Sequence, residues 1–123
     1  MRYFGIGNDI VELARIEKAI KNPKFKEKVY SQEELELFKE KGDRVESYGG
    51  RFAAKEAISK ALGTGVRNFN LTDIAILNNH LGKPYVIFKN QLKNLNEEII
   101  IDISISHCKE YATAVAIIFQ RGE

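Results

Sequence analysis

The chain has 123 residues, 44% hydrophobic and 29% charged, with two prolines, one cysteine and a formal net charge of +2. That length and apolar content suit one compact domain spanning residues 1–123 and exclude a disordered chain. The weak net charge carries no case for nucleic acid, lone Cys108 excludes an internal disulfide, and no apolar run reaches the ~20 residues that cross a bilayer.

A soluble, cytoplasmic protein without nucleic-acid or membrane partners is therefore expected. Residues 2–10 read as a strand interrupted by Gly5 and Gly7. Glycine inside a strand marks a bulge or the close approach of another group. Leu13, Ile16 and Ile20 recur at helical spacing and predict a short helix that stops near Asn22 and Pro23. Ser31 with Glu34 three residues on forms a capping box, opening a helix that turns Leu35 and Phe38 inward and ends near Gly42.

The most regular helix is predicted from about Ser47 to Leu62. Ala54, Ala57, Ile58, Ala61 and Leu62 make one apolar stripe, and Gly63 stands where a C-terminal stop belongs. Ala75 to Leu77 and Tyr85 to Phe88 read as strands joined by a loop holding Gly82, Lys83 and Pro84. Residues 99–107 alternate, with Ile99, Ile101, Ile103 and Ile105 on one face and Ile100, Asp102, Ser104 and Ser106 on the other, which is a half-buried strand. Beyond the turn at Cys108, the run Ala112 to Phe119 pairs back as a hairpin. Strand, helices, then strands define an α+β fold: a small antiparallel sheet packed with one long helix and shorter ones.

The charges are unevenly spread. From Glu12 to Lys28 six basic residues face three acids, and from Ser31 to Glu46 six acids face three bases. The plain reading is two solvated helix faces; the alternative is a patch that steers an acidic protein partner. Taken singly, the polar candidates are equally plain. Asp9 ends a strand and suits a cap or turn. Glu56 and Lys60, four apart, make a surface pair of ~0.2–0.5 kcal/mol, with Lys55 beside them solvated. Gly63, Thr64 and Gly65 leave backbone bare for an anionic group to approach. His107 at a strand end reads as a hydrogen-bonded structural residue and His80 as surface. Cys108 lacks a base and an orienting group, so it is no nucleophile.

Their joint occurrence changes the weighing. GIGNDIVELARI (residues 5–16), RFAAKEAISKALGTG (51–65) and SISHCKEYA (104–112), in this order and spacing, resemble the holo-acyl-carrier-protein synthases, the short phosphopantetheinyl transferases. Gly82, Lys83 and Pro84 match a loop common there, and Cys108 departs from a frequent threonine. The resemblance implies that Asp9 and Glu56 are Mg²⁺ ligands beside the diphosphate of coenzyme A, a role two carboxylates suit because Mg²⁺ is a hard cation that prefers oxygen. It implies that Lys60 faces that diphosphate, making Asp9, Glu56 and Lys60 the catalytic set. Arg51, Gly63, Thr64, Gly65 and His107 would contact coenzyme A, and Arg15, in a basic helix, an acyl carrier protein.

The expected reaction is attack by a carrier-protein serine on coenzyme A, serving fatty acid biosynthesis. A homotrimer with sites between subunits is expected from the same likeness. The competing readings are the same chemistry on a polyketide or peptide-synthetase carrier, and a non-catalytic nucleotide- or RNA-binding module. The last finds only Phe25 as a stacking platform in the basic segment.

Overall fold

The computed structural model of the protein describes residues 1–63 and 68–122. The chain runs β1 (Arg2–Glu12), α1 (Leu13–Ala19), α2 (Pro23–Val29), α3 (Gln32–Glu40), α4 (Val45–Leu62), β2 (Ile74–Asn78), β3 (Pro84–Phe88), α5 (Leu95–Glu98), β4 (Ile99–His107) and β5 (Tyr111–Gln120). Single 3-10 turns at Leu71–Asp73 and Asn90–Leu92 precede β2 and α5. The expected α+β architecture is present, with the strands divided between two antiparallel sheets: β1-β5-β4 and the hairpin β2-β3.

Helix α4 lies across the three-stranded sheet, touching all of its strands. Its stripe Ala53, Ala54, Ala57, Ile58, Ala61 and Leu62 is buried against Ala114, Ala116 and Ile118 of β5 and Ile99 and Ile103 of β4. Small side chains on both surfaces let the backbones come close, and β1 completes the fit. Gly5 and Gly7 sit opposite Ile118 and Ala116 of β5, on the helix-facing side. A Cβ at Gly5 would strike the Ala61 carbonyl oxygen. One at Gly7 would strike the Ala57 carbonyl oxygen and lie 2.9 Å from Lys60 Cβ. Helix α4 is therefore the approaching group that the strand glycines foretold. Gly7→Ala is expected to destabilise the protein by about 1–3 kcal/mol or more, because backbone rather than a flexible side chain must yield. A denaturant midpoint unchanged from the parent would contradict that packing.

Two features depart from expectation. Asn22 and Pro23 end one helix and begin another: the Asn22 side chain accepts the Lys24 backbone N–H at 2.9 Å, and Pro23 takes the first turn of α2. A stop and a start share the same two residues, and only the stop was read.

Lys55 is not solvated. It and Glu34 are both fully buried and form an ion pair at 2.6 Å. The capping box at Ser31 forms as expected, with Glu34 Oε1 accepting the Ser31 N–H at 2.9 Å. The same carboxylate is the counter-ion of Lys55 and accepts the Ile76 N–H of β2 at 2.9 Å. Lys55 Nζ also donates to the carbonyls of Val29 at 2.6 Å and Leu71 at 3.0 Å. Burial pulls the Lys55 ammonium below its usual range, and the Glu34 charge opposes that pull. Around this pair, Val29, Tyr30, Phe38 and Tyr48 form a second core beneath the short helices.

Candidate active site

The helix-facing side of β1 reads Gly5, Gly7, Asp9, Val11, each opposite a small or apolar residue of β5. Because the glycines bring α4 so near, Asp9 is the first side chain on that face to emerge beside the helix. Lys60, one turn beyond Glu56 on α4, donates to Asp9 Oδ1 at 3.1 Å and to the Asn8 carbonyl oxygen at 2.9 Å. The Lys60 side chain is 55% exposed and that of Asp9 18%. Glu56 is half-buried. Its carboxyl is raised above the usual carboxylate range, first by burial and then by the Asp9 charge, against a lowering pull from Lys60. Two acids far apart in the chain thus converge with one ammonium at the sheet edge formed by β1.

The donor set suits a particular metal chemistry. Among the described residues no group of three or more His, Cys, Asp or Glu side chains forms a closed metal site. Zinc sites, structural or catalytic, use three or four such protein ligands. Mg²⁺ uses one or two carboxylates and completes its shell with water and substrate phosphates, which Asp9 and Glu56 with an open side accommodate.

Arg51 lies elsewhere. It precedes Glu56 on α4 by about 7.5 Å of helix rise and is buried at 8% exposure. Its Nε donates to the Ile76 carbonyl at 3.3 Å and its Nη2 to Asn78 Oδ1 at 2.6 Å. Arg51 and His107, the latter exposed at the end of β4, line a cleft of about 440 Å³ shared with Lys41, Arg44, Glu46 and Ser47. Lys41 and Arg44 were passed over in the sequence, where they sit in an acid-rich stretch. What aims them is the turn between them, with positive φ at Gly42 (85°) and Asp43 (54°); Gly42, read only as a helix stop, was the available signal.

Gly63 ends α4 with φ 66° and open space where a Cβ would stand. Thr64 and Gly65 lie outside the described residues. Arg15 projects from α1 with its side chain 81% exposed. His80 is exposed, as expected, and Cys108 is exposed as well. No described helix is long and apolar enough to cross a membrane.

Residues 5–116 match the ACPS family, 4′-phosphopantetheinyl transferase superfamily. A holo-[acyl-carrier-protein] synthase of Fusobacterium nucleatum is 58% identical over 118 residues, covering 93% of this chain and 97% of its own. The crystal structure of a holo-(acyl-carrier-protein) synthase from Bacillus anthracis, in complex with CoA (3′,5′-ADP), aligns with a TM-score of 0.80 at 41% identity, covering 99% of this chain and 100% of that one. The corresponding synthase of Neisseria meningitidis aligns with a TM-score of 0.84 at 33% identity, covering 94% and 98%. The chain belongs to the 4′-phosphopantetheinyl transferase superfamily and, within it, to the holo-[acyl-carrier-protein] synthases, and is accordingly an enzyme.

Proposed function

We propose that this enzyme, acting as one catalytic domain, moves 4′-phosphopantetheine from coenzyme A to a serine of an apo-acyl carrier protein in support of cytoplasmic fatty acid biosynthesis. The observation that carries the reading is the meeting of Asp9, Glu56 and Lys60 at one edge of the sheet. In the reaction the serine oxygen forms a bond to the β-phosphorus of coenzyme A. The bond from that phosphorus to the bridging oxygen breaks, adenosine 3′,5′-bisphosphate leaves with the electron pair, and the serine proton passes to a base.

Asp9 and Glu56 would hold Mg²⁺, which when bound neutralises diphosphate charge and orients the reacting groups. Lys60 keeps one hydrogen bond to Asp9 and, being half exposed, turns its remaining donor to the departing phosphate. Glu56 is the candidate base. It would take the serine proton directly or through a water held beside it.

The diphosphate must lie at the carboxylates, because the bond breaks there. The cation cleft of Arg51, Lys41, Arg44 and His107 is then left for the other phosphate of coenzyme A, the ribose 3′-phosphate. The turn at Gly63 lets the substrate approach bare backbone.

Asp9 and His107 stand on opposite edge strands of the sheet, two strand spacings across and two residues along, about 12 Å apart. On the sheet face turned from α4, Ile6 (57%), Ile10 (62%), Ile100 (36%) and Val115 (39%) are exposed. An apolar face of that kind suits burial between copies, which favours a homotrimer whose carboxylates meet a neighbour's cleft. Arg15 with Lys18, Lys21 and Lys24 offers a basic surface to an acidic carrier protein.

With Mg²⁺ and coenzyme A, an apo-acyl carrier protein is expected to gain about 340 Da of phosphopantetheine on its serine, read by mass spectrometry. Modification of polyketide or peptide-synthetase carriers alone would move the assignment to those acceptors. A folded enzyme that shifts no carrier's mass would end the proposal.

A further inference from the structure

Asn78, the last residue of β2, touches two of the cations that line the cleft, Arg51 and Lys41. Its Oδ1 accepts from Arg51 Nη2 at 2.6 Å and from Lys41 Nζ at 3.3 Å, and its Nδ2 donates to the Gly82 carbonyl at 3.0 Å. Both ends of the amide are engaged, and these partners fix its orientation. Turned over, its N–H groups would face two cations and its oxygen would face a carbonyl.

We propose that Asn78 is the positioning residue of this cleft: its neutral amide holds Arg51 and Lys41 side by side and leaves their charge free for a phosphate. This rests on the reading above that the cleft takes the ribose 3′-phosphate of coenzyme A.

The chemistry of the position supports the role. An aspartate there would accept from the same cations, yet it would cancel part of their charge and lose the donor to Gly82. Glu46, the one acid among the described residues lining the cleft, lies 3.5 Å from Arg44 and is engaged there. The buried guanidinium of Arg51 has no freedom to find another anchor. Two cations drawn toward one oxygen repel each other, a cost that an arriving phosphate removes. Asn78 thus spaces the cations for an anion that the protein itself does not supply.

The test is isothermal titration of the parent, Asn78→Asp and Asn78→Ala with coenzyme A and with 3′-dephospho-coenzyme A. The parent is expected to prefer coenzyme A by about tenfold or more, the worth of charge-assisted hydrogen bonds. In Asn78→Asp the preference should fall to about threefold or less, with dephospho-coenzyme A bound as before and a thermal midpoint no lower than the parent's. Asn78→Ala should lose part of the preference through loosened cations. Retention of the full preference in both variants would overturn the proposal, and so would equal losses for both ligands, which mark a general effect on the fold. A parent without preference would overturn the cleft assignment and this role with it, while the mass-shift assay judges the transfer reaction separately.

Discussion

Glu56→Gln and Asp9→Asn are each expected to lower turnover on the order of a thousandfold while leaving the chain folded. A metal's neutralisation of phosphoryl charge is worth several kcal/mol, and each ~1.4 kcal/mol is a factor of ten in rate. Single-turnover transfer to an apo-acyl carrier protein at limiting Mg²⁺ is the measurement, and turnover within about tenfold of the parent in either variant would remove that carboxylate from the metal assignment.

The stability of Glu56→Gln should move the other way. Glu56 has a folded-state pKa above its unfolded value, owed first to burial and then to Asp9. Its contribution to stability is therefore fully present below the unfolded pKa and lost as pH rises through the folded one. At neutral pH the ionised carboxyl is a net cost, so Glu56→Gln should melt no lower than the parent even as activity collapses. Asp9→Asn removes one of the two raising influences and should lower the titration midpoint of Glu56, observable by carboxyl carbon NMR. Burial would still keep it above the ordinary range. Transfer in the parent should rise with pH through the ionisation of Glu56, since both metal ligation and proton acceptance need the carboxylate.

The second large effect lies away from the substrate. Glu34→Ala is expected to cost about 3–5 kcal/mol, because it leaves the fully buried Lys55 ammonium without its counter-charge. Against a typical total of about 5–15 kcal/mol this approaches unfolding. Adding Lys55→Met should recover only part of the loss. The pair also satisfies the N–H groups of Ser31 and Ile76 and the carbonyls of Val29 and Leu71. Apolar replacements would leave those backbone groups without partners at about 1–3 kcal/mol each where they stay buried. A denaturation-based double-mutant cycle measures the coupling. A loss below about 1 kcal/mol for Glu34→Ala would show that the buried charge finds another partner. The pair also bears on the site. Lys55 and Glu56 are consecutive on a helix and project about 100° apart, so anchoring one toward α3 and β2 sets the direction in which the other faces β1.

Legibility followed the range of the interactions. The capping box at Ser31 was readable because both of its hydrogen bonds lie within three residues. The alternation of Ile99 to Ile105 and the alanine stripe of α4 were readable because strand and helix periods act along the chain. Helix α2 was missed where a local stop and a local start coincide. Lys55 was misread because the charge that neutralises it comes from Glu34, on another helix. Lys41 and Arg44 gave no signal by type. Their place in the cleft depends on a positive-φ turn and, for Lys41, on Asn78, a residue of another element.

By itself, then, the amino-acid order determined every strand and the longer helices, their apolar faces and the glycines that permit a strand and a helix to touch. It also carried the three motifs that mark the family, since these are strings of residue types. Tertiary structure alone decided which polar groups share a site. Asp9 and Glu56 meet because Gly5 and Gly7 have no Cβ to hold α4 away from β1, and whether a charge ends in water or in a core depends on which element packs over it. Periodicity cannot express that, because it compares a residue with its neighbours along the chain and never with those across it.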